Sequence, residues 1–183
     1  MVKINFGPGP FRLEGWVNVD LDPTARPDVI ADLCCDLPFA TGSVDFIFSE
    51  DLVAYLSLEG VQHFLLETRR ILKAEGAMRV LTPDLERLAR MYLETPRALV
   101  DLWNRSVGYP LRTGKASEVL NLTSELAGRF QYDSDTLVAL ARDAGFDAQR
   151  VEYRQSRFPV LAGLDHRAPH ESVSMYHELY PRT

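Results

Sequence analysis

Residues 3–20 read KINFGPGPFRLEGWVNVD. Two apolar runs, Lys3–Gly7 and Trp16–Asp20, flank a segment rich in glycine and proline. Each run has the length and composition of a buried strand, and Gly7-Pro8-Gly9-Pro10 terminates the first. The two strand ends differ in chemistry. Glycines at the first let the backbone approach a ligand closely. A carboxylate, Asp20, closes the second and can accept both hydroxyls of a ribose, with Leu21 and Asp22 following. In an open α/β sheet, ligands bind beyond the carboxyl ends of the strands, so both features fall where a site belongs.

The pattern repeats downstream. Val29–Leu33 (VIADL) predicts a third strand ending in Asp32-Leu33, and Val44–Ser49 (VDFIFS) a fourth running into Glu50-Asp51. A short helix is expected over Asp51–Leu56. A longer one over Glu59–Leu72 places Val61, Phe64, Leu65 and Ile71 on one face. Ala77–Thr82 predicts a fifth strand. Helices are expected over Asp84–Glu94, near Ser117–Leu126, and over Asp133–Ala144, where Asp133 or Ser134 caps the start and Gly145 closes the end. A polar stretch carrying Trp103 and Tyr109 lies among them. Val151–Gln155 and Val173–Leu179 read as the last two strands, and with no helix between them the final strand is expected to run antiparallel. The expected fold is a three-layer, doubly wound α/β sandwich around a seven-stranded, mostly parallel sheet. It forms a single domain over residues 1–183, with 86–129 as a variable lid insertion.

Composition narrows the function. The chain has 183 residues, 46% of them hydrophobic and 25% charged, enough for a packed core without disulfide or metal staples. No uncharged run approaches the ~20 residues of a membrane span. The start, MVKINFG, lacks an apolar signal region. The two cysteines, Cys34 and Cys35, are adjacent, which predicts buried packing in a reduced, cytoplasmic protein. Residues 1–75 hold 6 basic and 12 acidic side chains and so carry the whole net charge of −6. No basic face for nucleic acid is expected.

Taken together, INFGPGP, GWVNVDLDP, ADLCCDLPFATGSVDFIFS and ETRRILKAEGAMRVLTPDL resemble the class I S-adenosylmethionine-dependent methyltransferases. They are most like a small bacterial group with a shortened first crossover. DSDTLVALARDAGF and SVSMYHE near the C-terminus are also similar to that group, whereas 86–129 is largely unmatched. The resemblance implies S-adenosyl-L-methionine as cofactor and S-adenosyl-L-homocysteine as product. It implies that Gly7, Pro8 and Gly9 lie under the methionine part, that Asp20 with Leu21 holds the ribose, and that Asp32 and Leu33 address the adenine. It also implies that Ser49 and Glu50 line the sulfonium. Only 11 positions separate Gly9 from Asp20, too few for the usual crossover helix, so backbone N–H groups or Arg12 must meet the cofactor's carboxylate.

Methyl transfer to a small-molecule acceptor with an oxygen or nitrogen nucleophile is the expected function. Asp51 and Tyr55 are four apart, which would put both on one face of a helix after the fourth strand. They are the candidate catalytic pair, with helix capping as the alternative role of Asp51. The chain reads SEDL where amino-directed nucleic acid methylases carry Asn/Asp-Pro-Pro-aromatic, so no nucleic acid partner is expected, nor a membrane. His166 and His170 fall near the acceptor's entrance, His177 reads as structural, and no metal is expected. The rival readings are a cofactor-binding regulatory or interaction module without catalysis, a nicotinamide oxidoreductase, and a domain with no cofactor.

Overall fold

The computed structural model describes residues 1–126 and 128–182. Seven strands form one sheet: β1 (Lys3–Phe6), β2 (Val17–Asp20), β3 (Val29–Ile30), β4 (Val44–Glu50), β5 (Leu72–Pro83), β6 (Phe146–Arg150) and β7 (Ser174–Pro181). Their order is β3-β2-β1-β4-β5-β7-β6. The first five pair in parallel, and β7 lies antiparallel between β5 and β6, as expected. Chain direction across the sheet reverses between β1 and β4, which opens a crevice at their carboxyl ends.

Five helices accompany the sheet: α1 (Leu58–Ile71), α2 (Leu85–Glu94), α3 (Pro96–Ser106), α4 (Ala116–Leu126) and α5 (Ser134–Asp143). Local chemistry sets their starts. Ser57, Asp84 and Asp133 accept hydrogen bonds from the backbone N–H of Gly60, Arg87 and Thr136 and cap α1, α2 and α5. Helices α1 and α5 bury Phe64, Leu65, Ile71, Leu137 and Ala141 against Ile4, Phe6, Ile47, Met78 and Val80 of one sheet face. The Phe6 and Phe64 rings meet edge to face at 5.2 Å.

Among the described residues, the opposite face carries no helix. The connections after β1 and β2 are too short to hold one, and the second forms only a 3-10 turn, Pro23–Ala25, capped by Asp22. Phe48, Ala77, Leu81 and Tyr176 are covered instead by Trp16 and by the segment 151–165, through Tyr153, Phe158, Leu161 and Leu164. The three layers are present, with irregular chain as the third. Arg79 on β5 secures that layer. Fully buried, it donates to Asp165 (2.6 Å from Nε), to Glu178 (2.9 Å) and to the carbonyls of Gln155 (2.9 Å) and Glu152 (3.1 Å).

Three elements differ from the sequence expectation. Strand β6 occupies Phe146–Arg150, directly after Gly145, whereas Val151–Gln155 turns away over β7 with Arg154 at φ 58°. Helix α3 fills what reads as a polar stretch. Its Leu99 and Trp103 pack with Leu88 and Val119 into a separate core formed by α2–α4. Third, Asp51–Leu56 is not an α-helix: only Val53–Tyr55 forms a 3-10 turn.

Candidate active site

The crevice between β1 and β4 begins at two glycines in the left-handed region, Gly7 at φ 64° and Gly9 at φ 48°. A Cβ on Gly7 would lie 2.8 Å from Leu52 Cδ1, so no side chain fits there; beside Gly9 the space is open. Pro8 between them is buried. The Gly9 N–H donates to Asp20 Oδ2 (3.2 Å) and the Asp22 N–H to Asp20 Oδ1 (3.0 Å). These bonds fix the carboxylate at the end of β2, while each oxygen keeps a second lone pair for a hydroxyl donor. Leu21 is 60% exposed beside it. Asp32 is exposed, with Oδ1 accepting from the Cys34 N–H (2.9 Å), and the Leu33 side chain is buried in the core. Arg12 pairs with Asp28 at 2.7 Å, at odds with a role on the cofactor's carboxylate.

At the end of β4 the side chains divide. Ser49 is fully buried and its Oγ makes no hydrogen bond. Glu50 accepts from His166 Nδ1 (2.9 Å), the His166 N–H (3.2 Å) and the Arg167 N–H (3.0 Å), so its carboxylate tethers segment 165–168. His166 also stacks on Phe11 with ring centroids 4.8 Å apart, joining that segment to the glycine turn. Asp51 follows at φ 53°, outside any helix. Its Oδ2 accepts from Arg167 Nε (3.1 Å), while Oδ1 is shut off from solvent and unpartnered. Burial pushes its carboxyl above the ordinary range; Glu50 adds to the effect and Arg167 opposes it. The capping role is excluded, because the 3-10 turn starts at Leu52 without a side-chain cap.

Although not on a common helix face, Asp51 and Tyr55 meet at one cavity of about 380 Å³. Burial and the Asp51 charge raise the Tyr55 phenol, which keeps it protonated as a hydrogen-bond donor. The cavity's far wall is apolar, built by Leu88, Leu99, Leu102, Trp103 and Val119 of α2–α4. Arg167 and Glu171 stand on the near side with Asp51. The segment 156–172 therefore divides: its end borders the cavity, while Phe158–Leu164 lies on the helix-free face.

Arg167 was not singled out by sequence reading, since an arginine in an irregular loop carries no periodic signal. Cys34 and Cys35 are exposed rather than packed inside, and partial burial with the nearby Asp32 charge raises the Cys34 thiol. His177 is fully buried on β7, paired with Ser134 Oγ at 2.8 Å, and its burial lowers its pKa to about 4. His170 is exposed beside Glu171. Among the described residues, no three His, Cys, Asp or Glu side chains converge as a metal set, and no helix is long and apolar enough to cross a membrane.

Residues 16–80 match a family described as a methyltransferase domain. No curated protein matches the sequence. Among solved structures, a complex of the Haloferax volcanii Trm112 methyltransferase activator with a methyltransferase aligns at TM-score 0.59 and 16% identity. That alignment covers 100% of this chain and 83% of the other. A TehB-like S-adenosylmethionine-dependent methyltransferase from Corynebacterium glutamicum gives 0.57 and 15%, over 99% and 80%. Geranyl diphosphate C-methyltransferase from Streptomyces coelicolor, in complex with Mg²⁺, geranyl diphosphate and S-adenosyl-L-homocysteine, gives 0.56 and 12%, over 100% and 71%. At these identities the likeness is one of fold.

Proposed function

The chain has the class I S-adenosylmethionine-dependent methyltransferase fold, and on that premise we propose that it transfers a methyl group from S-adenosylmethionine to a small-molecule acceptor with an oxygen or nitrogen nucleophile. The observation that carries this reading is the cavity of about 380 Å³ lined by Asp51 and Tyr55, just beyond the end of β4. Its size lies at the small end of ligand sites.

Two features fit the cofactor. Gly7 and Gly9 form a turn with open space at Gly9, and the buried Ser49 Oγ has no partner within the chain. In this reading Gly7, Pro8 and Gly9 support the methionine part, Asp20 with Leu21 the ribose, Asp32 and Leu33 the adenine, and Ser49 the sulfonium. Glu50 acts differently from the sequence expectation: its bonds to His166 and Arg167 favour a role in holding the loop over the site. S-adenosylmethionine supplies a methyl group on a sulfonium that leaves readily, so proximity and alignment are the protein's main contribution. The apolar wall holds the acceptor body and excludes water. Asp51 accepts the proton of the acceptor's hydroxyl or amine, and the raised carboxyl is a better base for that purpose than an ordinary one. Tyr55 orients the nucleophile through its hydroxyl.

A cofactor-binding module without catalysis is the second reading, favoured by the Asp51–Arg167 ion pair, which engages one oxygen of the proposed base. Incubation with methyl-labelled S-adenosylmethionine and a panel of small phenols, alcohols and amines separates the two. The proposal expects label in at least one acceptor. Cofactor binding with no acceptor labelled would favour the module.

A further inference from the structure

Ser49 Oγ and Asp51 Oδ1, on either side of Glu50, are both closed to solvent. A ligand group therefore reaches either atom only when neighbouring chain moves. Segment 165–168 is tied to this strand end. Glu50 accepts from the His166 ring and from two backbone N–H groups, and Arg167 Nε donates to Asp51. The His166 ring also stacks on Phe11, with 28° between the planes. Phe11 follows the glycine turn at the end of β1, and Phe6 of β1 pairs with Ser49 of β4. The stack thus joins the two lips of the crevice.

This joint differs in burial from the residue beside it. Asp165, one position before His166, is 1% exposed and is held by Arg79 and by the Arg154 N–H at 2.6 Å. Phe11 is 53% exposed, and the side chains of His166 and Arg167 are 40% and 46% exposed. Polar contacts at such exposure contribute little. The segment passes from a firm anchor to a weak attachment within one residue, the pattern of a chain that opens locally. The Phe11 backbone is held separately. Its N–H donates to the Pro8 carbonyl (2.7 Å) and its carbonyl accepts from Asn5 Nδ2 (3.2 Å), so the turn does not depend on the ring.

We propose that Phe11 and His166 form a clasp that parts to admit and release S-adenosylmethionine, and so set the rate of cofactor exchange. Parting separates the two rings and frees His166 from Glu50, while Asp165 stays bound to Arg79 as the hinge. Phe11 and His166 are positioning residues, since neither has to touch the reacting atoms. Such gating often limits turnover in enzymes that enclose their ligands. The proposal rests on reading the crevice between β1 and β4 as the cofactor's site.

Rapid filtration with radiolabelled S-adenosyl-L-homocysteine, chased with unlabelled ligand, measures association and dissociation rates on the full chain. Phe11→Ala and His166→Ala each remove the stack, and each should raise both rates about two- to tenfold, the range an aromatic pair supports. Because a clasp slows entry and exit alike, Kd should stay in place. Phe11→Tyr keeps the ring and should keep the wild-type rates. Melting temperatures of all three should match the wild type, as expected for exposed side chains. Unchanged rates in both alanine variants overturn the proposal. So does a rise in dissociation alone, which would mark a binding contact instead of a clasp, and so does fast exchange in Phe11→Tyr. Absence of binding to the wild type is a separate failure: it removes the cofactor reading itself, and the clasp with it.

Discussion

Asp51 combines three properties that rarely coincide by accident: a backbone in the left-handed region, a carboxyl raised by burial, and one oxygen buried without a hydrogen-bond partner. A non-glycine residue at positive φ costs of order 1 kcal/mol and persists where its surroundings hold it. Here Arg167 holds Oδ2 and the Leu81 carbonyl accepts the Asp51 N–H at 2.9 Å. If Asp51 is the base, Asp51→Asn should lower turnover roughly 10²–10⁴-fold with cofactor affinity nearly unchanged. Turnover of the wild type should also fall with acid at a pH above the usual carboxylate value of ~3.9, because the raised carboxyl takes up its proton early. A pH profile of Asp51→Asn lacking that limb would support the assignment, and an identical profile would remove it. If Asp20 holds the ribose, two hydroxyls bound to its carboxylate are worth about 1.5–3 kcal/mol each, so Asp20→Ala should weaken cofactor binding at least tenfold in calorimetry.

At the scale of elements, the segment 151–168 compensates for what the short early connections leave out. It covers the helix-free face and then delivers His166 and Arg167 to Glu50 and Asp51. The bridge between these tasks is Asp165, bound to Arg79 at the base of the segment. Removing one member of a buried charge group strands the others, a loss of about 3–5 kcal/mol. Asp165→Asn and Glu178→Gln should therefore each lower the melting temperature by several degrees, and Asp165→Asn should also loosen Arg167 and reduce turnover. Little of this was legible in the sequence. Arg79 sits inside an apolar strand, and its partners lie 86 and 99 positions away, beyond any local pattern. Helix α3 was hidden for another reason: Leu99 and Trp103 are embedded among Arg97, Asp101, Asn104 and Arg105, and they pack in their own small core rather than on the sheet. The glycine turn and Asp20 were legible because strand ends announce themselves by an abrupt change from apolar to turn residues.

For the whole molecule, a mostly parallel seven-stranded sheet with an antiparallel last strand followed from the apolar runs of the sequence. The cover of the second face did not, because irregular chain has no period. Two buried groups contribute to the fold's acid response. His177, lowered to about 4, resists protonation that the unfolded chain accepts near 6.5, so stability should decline as pH falls from about 6.5 to 4. Glu67 is held down to about 2, chiefly by its bonds to Arg70. Its contribution is intact above about 4.5 and is lost as pH falls through 2. Thermal melts across this range should show both declines, and His177→Gln should flatten the first without touching the second.

In the proposed complex the cofactor is seated between the glycine turn and the ends of β2 and β4. Calorimetric titration of the full chain with S-adenosyl-L-homocysteine tests it directly. One site per chain, weakened at least tenfold by Asp20→Ala in a protein that still melts cooperatively, is the predicted result; no heat of binding at millimolar ligand would contradict it.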